Sequence, residues 1–294
     1  MKAQISSYLA AARARVDAVL EQWAAHGDAV IRYSLLGEGK RLRPTLVFAS
    51  HEALNGGPTR GVAELAAAVE VVHAYSLVHD DLPCMDDDDL RRGRPTAHRA
   101  FDIARATRAG YQMVALAARV LAHGLAQLDL SESRRREIAL ELFRAAGAGG
   151  MIGGQALDLE AEAKRLPIGQ LEDVHQRKTG ALIAASCVIG GLSAGETVGR
   201  GHIDALRAYG EAIGLAFQIA DDVLDATATS DQLGKTAGKD AAHAKATFVT
   251  LLGVGAARAE AERLAARAVD QLRQAGLASP TLMELAHYIV TRPN

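Results

Sequence analysis

A long apolar segment that starts near Gly61 runs without a break into His79-Asp80-Asp81-Leu82-Pro83-Cys84-Met85-Asp86-Asp87-Asp88-Asp89, and that junction limits what the chain can become. Six carboxylates fall within ten residues, each repelling the next. An apolar element ending in such a run is most economically explained by a divalent cation among hard oxygen ligands, with magnesium the natural candidate. A solvated acidic loop is the plain alternative. The residues that follow, Leu90-Arg91-Arg92-Gly93-Arg94-Pro95-Thr96, weigh against it, because guanidinium groups beside metal-holding carboxylates form two halves of a diphosphate site. A calcium EF-hand does not fit, since its internal glycine and distal glutamate are missing.

Within the apolar segment, Glu70, His73, Leu77 and Asp80 follow 3-4-3 spacing. His73 and Asp80 therefore share one helical face, about 20° apart at roughly 100° per residue. On an unbroken helix Asp80 and Asp86 diverge by about 120°. Pro83 removes a helical hydrogen bond between them and should end or bend the helix, letting both carboxylates face one cation.

A second carboxylate cluster lies in Phe217-Gln218-Ile219-Ala220-Asp221-Asp222-Val223-Leu224-Asp225. Gln218, Asp221, Asp222 and Asp225 occupy i, i+3, i+4 and i+7, a polar stripe on a helix that is otherwise apolar. Burying three carboxylates without a cation is costly.

The same 3.6-residue period predicts helices over residues 5–25, 28–36, 96–124, 131–149, 167–191, from about 203, and over 243–274 and 281–290, with no period-2 stretch of any length. The expected fold is all-α. Hydrophobic content of 49% with only 4% aromatic residues implies a core of Ala, Leu, Val and Ile, and seven prolines leave room for long helices. Nothing among the 294 residues looks like a linker, so one domain spanning 1–294 is expected.

A net charge of -2 with mixed signs argues against a nucleic-acid surface, so any anion site is local. Two distant cysteines, Cys84 and Cys187, give no disulfide framework and fit a reducing cytoplasm. No stretch reads as long and uncharged enough to span a bilayer, and the first residues lead into an amphipathic segment rather than a signal peptide. A cytoplasmic protein is expected.

Four weaker motifs complete the pattern. Gly37-Glu38-Gly39-Lys40-Arg41-Leu42-Arg43-Pro44 sets two glycines just before three cations, as in a loop that an anion approaches closely. Gly149-Gly150-Met151-Ile152-Gly153-Gly154-Gln155-Ala156-Leu157-Asp158-Leu159 marks a helix boundary or kink with close packing. Gln176-Arg177-Lys178-Thr179-Gly180 presents a cation and a hydroxyl before a glycine. Gly234-Lys235-Thr236-Ala237-Gly238-Lys239-Asp240 offers two lysines that could fold over phosphates; it is no P-loop, lacking the upstream glycine and preceding strand.

Two aspartate clusters about 140 residues apart, cationic loops and an in-line histidine describe a cavity with two facing metal-binding walls. The set resembles the trans-isoprenyl diphosphate synthases, most closely the bacterial farnesyl diphosphate synthases, over essentially the whole chain. The resemblance implies a single-domain isoprenoid-synthase helical bundle around a deep central cavity. It implies a homodimer and a reaction joining isopentenyl diphosphate to dimethylallyl and then geranyl diphosphate, releasing pyrophosphate at each step.

Three magnesium ions are implied, two at Asp80 and Asp86 and one at Asp221, with Asp81, Asp222 and Asp225 supporting. Arg91, Lys178, Lys235 and Lys239 are implied for the allylic diphosphate, and Lys40, Arg43, His73 and Arg92 for the homoallylic one. Oxygens near Lys178, Thr179 and Gln218 are implied to stabilise the cation. Glu38 departs from the glycine common in the family. Tyr75 and Ser76, with Pro83 and Cys84 as two extra residues in the aspartate motif, match the bacterial farnesyl pattern for a C15 product. Geranylgeranyl or geranyl diphosphate synthesis, a terpene cyclase, a non-catalytic subunit of the same fold and a magnesium-stabilised structural bundle stay open as rivals.

Overall fold

The computed structural model describes residues 2–25, 27–55, 60–161, 166–227 and 246–292. Helices α1 (Lys2–Ala24), α2 (Ala29–Leu35), α3 (Leu42–Asn55) and α4 (Val62–Asp80) open the chain. A two-residue hairpin follows, β1 (Leu90–Arg91) against β2 (Arg94–Pro95). Then come α5 (Ala97–Ala100), α6 (Ile103–Ala126), α7 (Glu132–Ala146), α8 (Met151–Glu160) and α9 (Ile168–His175). A π-helical turn (Gln176–Gly180) joins α9 to α10 (Ala181–Ser193), before α11 (Arg200–Thr227), α12 (Phe248–Leu252), α13 (Val254–Gln274) and α14 (Pro280–Thr291).

Helix α4 is apolar on every side, and such a helix is stable only when enclosed. Leu65, Val69, Val72, Tyr75 and Val78 are all buried. By length and composition α4 is long and apolar enough to cross a membrane, which corrects the expectation that no stretch is; 67% of that window is buried inside the fold. Helix α6 packs along α4 and buries a face of small residues, Ala106, Ala109, Gly110 and Ala117, that brings the two helices close. Helix α10, also apolar throughout, touches α3, α7 and α11, while α11 lies along α13. Tyr209 of α11 is fully buried, and its hydroxyl donates to the Leu282 carbonyl at 2.7 Å.

Local signals explain most helix boundaries. Asp28 and Ser131 cap α2 and α7, accepting from Val30 N and Arg134 N. The helix expected over 96–124 is broken instead, because Asp102 caps a new helix by accepting from Arg105 N at 2.7 Å. The helix expected over 131–149 stops at Ala146, and that expected over 167–191 contains the π-turn. Gly253, at φ 80°, divides α12 from α13. Helix α3 was not expected from the sequence; Leu46 through His51 are all buried, so no polar stripe reveals its period. The hairpin also goes unforeseen. Its Arg92-Gly93 corner has φ 53° and 73°, the two positive angles of a type I′ turn, and its strands are too short to show alternation.

Candidate active site

Helix α4 ends at Asp80, and the chain then folds back on itself. Asp86 N donates to the Asp80 carbonyl at 2.8 Å, Asp88 N to that of Asp81 at 3.2 Å, and Met85 N to that of Leu82 at 2.8 Å. The turn through Pro83 and Cys84 thus returns Asp86 to the helix end, as the proline suggests. Asp81 is buried and accepts from Arg91 Nε at 2.7 Å and Nη2 at 2.5 Å. Burial pushes Asp80 up to about 7; Lys178 and Arg91 pull it down, while Asp86 and Asp81 push it further up. Burial raises Asp81 as well, with Arg91 opposing. These carboxylates have less positive charge around them than they need, and a divalent cation would supply it.

The second wall is the C-terminal part of α11. Gln218 accepts from Thr179 Oγ1 at 3.1 Å, which ties α11 to the π-turn. Asp222 is buried and accepts from Phe248 N at 2.9 Å, so one of its oxygens anchors the start of α12. Asp221 pairs with Arg292, whose side chain is 1% exposed and lies 4.0 Å over the Phe217 ring. Asp225 lies one turn further along the same helix, half-buried.

Between the walls sits a cationic group. Lys40 stays exposed at the rim, yet partial desolvation lowers it, helped by Arg292 and opposed by Asp221. Arg43 is pushed down to about 10, by burial first, with Glu70 and Asp221 opposing and Arg92 adding; its Nε is buried without a hydrogen-bond partner. Arg92 is exposed at the mouth of the site but is also lowered by desolvation, and its Nη1 donates to the Glu38 carbonyl at 2.5 Å. His73 is held well below the ordinary imidazole value by burial and by Arg43, Arg92, Arg91 and Arg41. Positive charges that depress one another in this way form a pocket that an anion would relieve. Arg41 does not share that role. At φ 48° it turns inward, to Glu70 and Asp17 at 2.8 Å each and to the Leu35 carbonyl at 2.8 Å. Glu38 is exposed and lines the same cleft as Asp81, Arg91 and Arg92.

Residues 25–277 match the family described as polyprenyl synthetase. The chain belongs to the polyprenyl synthetase family. It is 46% identical over 265 residues to farnesyl diphosphate synthase of Escherichia coli (strain K12), covering 89% of this chain and 88% of that protein. It is 42% identical over 269 residues to geranylgeranyl pyrophosphate synthase 9, chloroplastic, of Arabidopsis thaliana, covering 90% and 73%. A solved FPP/GFPP synthase from Zymomonas mobilis matches with TM-score 0.85 and 36% identity over 99% of this chain and 100% of that one. A geranyltransferase from Helicobacter pylori, complexed with magnesium and isoprenyl diphosphate, matches with TM-score 0.82 and 31% identity over 97% and 95%. The protein is a prenyltransferase with the single-domain helical fold of the isoprenoid synthases and trans-prenyl synthase activity.

In this polyprenyl synthetase the glycine-rich motif serves close packing. A Cβ on Gly154 would lie 2.1 Å from Lys178 N, so α8 presses directly on the π-turn. Lys178 Nζ then reaches Asp158 at 2.6 Å while its charge acts on Asp80. Tyr75 and Ser76 are buried a turn below Asp80, and Ser76 Oγ donates to the His73 carbonyl at 2.9 Å. Lys235 and Lys239 lie outside the described residues. Arg292 and Asp158 are missing from the expected site. Asp158 had a signal in its spacing within the glycine motif, whereas Arg292 is a lone cation near the C-terminus.

Among the described residues no group of three His, Cys, Asp or Glu side chains is gathered as a ready metal site. Magnesium takes one or two carboxylates and completes its octahedron with water and phosphate oxygens. The donors offered here, Asp80, Asp86 and Asp221, are hard oxygens of the right kind.

Proposed function

We propose that this polyprenyl synthetase joins isopentenyl diphosphate to dimethylallyl diphosphate and then to geranyl diphosphate, releasing pyrophosphate each time, and stops at (2E,6E)-farnesyl diphosphate. The observation that carries the reading is the separation of two kinds of charge. Carboxylates whose charge is disfavoured by desolvation, Asp80 and Asp81, line one part of the site, and cations disfavoured in the same way, Lys40, Arg43 and Arg92, line another. One diphosphate is to be ionised and the other kept, so they need different pockets.

Asp80 and Asp86 would hold two magnesium ions and Asp221 a third, with Asp81, Asp222 and Asp225 supporting. Magnesium, when bound, neutralises the allylic pyrophosphate as it departs and so favours formation of the allylic cation. Arg91 and Lys178 grip that leaving group, and Lys235 and Lys239 are assigned to it from the sequence. Thr179 Oγ1 and the Gln218 amide oxygen, joined to each other, place partial negative charge near Lys178 for the cation. Lys40, Arg43, Arg92 and neutral His73 bind the homoallylic diphosphate without metal, so that it remains attached. Its double bond attacks the cation, and loss of a proton completes the elimination.

Tyr75 supports the C15 limit. It lies five residues before Asp80, roughly 7.5 Å deeper at about 1.5 Å per residue, where a growing tail would reach it. Ser76, being small, leaves room for geranyl to enter. The cationic pocket disfavours a terpene cyclase, which has no second diphosphate to hold, and the full set of aspartates disfavours a non-catalytic subunit. Chromatography and mass analysis of the product made from the two five-carbon diphosphates with Mg2+ tests the reading. A C15 product is expected; C20 or C10 as the main product overturns the limit, and failure to elongate overturns the assignment of the two pockets.

We further propose that residues 1–294 form one polyprenyl synthase domain, that it works as a homodimer, and that it acts in the cytoplasm, where the free thiols of Cys84 and Cys187 would remain reduced.

A further inference from the structure

The floor residue is held by a second layer. Tyr75 meets the His79 ring edge to face, with centroids 5.9 Å apart and planes at 84°. His79 meets Tyr111 of α6 in the same manner, at 5.1 Å and 75°. Its Nε2 lies 3.0 Å from the Thr107 carbonyl, and since a carbonyl oxygen only accepts, Nε2 carries the proton and donates. The imidazole also rests on α6 at Gly110, where a Cβ would stand 2.0 Å from Nε2 and 2.4 Å from Cδ2. Four contacts therefore fix one ring: Tyr75 on α4, and Thr107, Gly110 and Tyr111 on α6.

Side chains on a helix lean toward its N-terminus, so the His79 ring lies over the turn that carries Tyr75, in the gap between α4 and α6. That gap is the space into which the Tyr75 ring would have to turn to let a longer tail pass. We infer that His79 is a positioning residue for product length: seated on Gly110 and tied to Thr107, it keeps Tyr75 across the tail cavity. Elongation then stops where it does because of both layers. The inference rests on the reading of Tyr75 as the floor.

The test is the product distribution of the intact enzyme with Mg2+, dimethylallyl diphosphate and isopentenyl diphosphate, for wild type, Tyr75→Ala, His79→Ala, His79→Gln and Tyr111→Ala. His79→Ala should raise the ratio of longer to C15 product on the order of three- to tenfold, the effect of one lost aromatic contact. His79→Gln, whose amide can donate to the Thr107 carbonyl but offers Tyr75 no ring, should keep the seat on α6 and give a ratio between those of wild type and His79→Ala. Tyr111→Ala removes the outermost contact from a side chain that is 69% exposed in one chain, and a smaller shift in the same direction is expected, with sedimentation checking that the assembly is unchanged. A purely structural role for His79 would lower yield and melting temperature without moving the ratio. If Tyr75→Ala lengthens the product while His79→Ala, or Tyr111→Ala should the former not fold, keeps the wild-type ratio, the inference is overturned and the floor stands. If Tyr75→Ala itself leaves the ratio unchanged, the floor reading fails and takes this one with it.

Discussion

Asp80 sits where its own charge is disfavoured, and two consequences with opposite pH dependence follow. The group is pushed up to about 7, and a protonated carboxyl cannot ligate a cation. The Mg2+ concentration needed for half-maximal turnover should therefore rise as pH falls through about 7, which titrations at about pH 6 and about pH 8 would reveal. An unchanged requirement would contradict the placement of Asp80 at the metal. For stability the sign is reversed. The folded value lies above the ordinary carboxylate value of 3.8, so between the two the folded chain binds more protons than the unfolded one. The metal-free fold should lose stability as pH rises through that window. Asp80→Asn should then melt higher than wild type at about pH 8 without divalent ions, yet lose turnover by about 10³-fold or more. Asp221→Ala should show a loss of similar size with helicity intact, by circular dichroism. The aspartates were legible in the sequence because crowded like charges at the end of an apolar helix repel one another unless a cation offsets them. Lys40, Arg41 and Arg43 were harder to sort, since three neighbouring cations look alike until a positive φ turns Arg41 inward to Glu70.

Close packing between elements decides where the reactive groups stand. Helix α8 approaches the π-turn so closely that Gly154→Ala must displace the backbone of Lys178. A shift of about 1 Å there should cost on the order of 10²-fold in turnover, because Lys178 and Thr179 would leave their positions against Asp158 and Gln218. Stopped assays with unchanged far-UV circular dichroism would confirm it, and near-normal turnover would show that the π-turn tolerates movement. On α4, Tyr75→Ala should shift the product to C20 or longer, and Ser76→Phe to C10, read by chromatography. The turn after α4 was legible through Pro83, and the stripe on α11 through its i, i+3, i+4, i+7 spacing. The break at Asp102, the π-turn and α3 were not. A cap can start a helix inside a continuous periodic run, the phase shift at a π-turn cannot be seen when the helix after it is buried on every side, and such a helix has no polar face to count.

At the scale of the molecule, the pairing of α6 with α4 leaves large apolar side chains exposed at the flank of the packed face of α6. Ile103, Tyr111 and Val114 are exposed there, and Leu140 and Phe143 are exposed on α7. Scattered apolar residues on a surface mean little, but five large ones on two consecutive helices are side chains that a two-fold axis could cover with a second copy of the chain. The expected sedimentation mass at micromolar concentration is therefore near twice the 30.9 kDa chain. Placing a carboxylate at these positions should reverse it, since a charge buried without a partner costs more than such an interface can spare per residue. Val114→Asp combined with Phe143→Asp, at side chains 38% and 37% exposed, should sediment as a single chain, with circular dichroism checking that helicity is kept. A wild-type mass near one chain would remove the dimer, and an unchanged dimer in the double variant would move its interface away from α6 and α7.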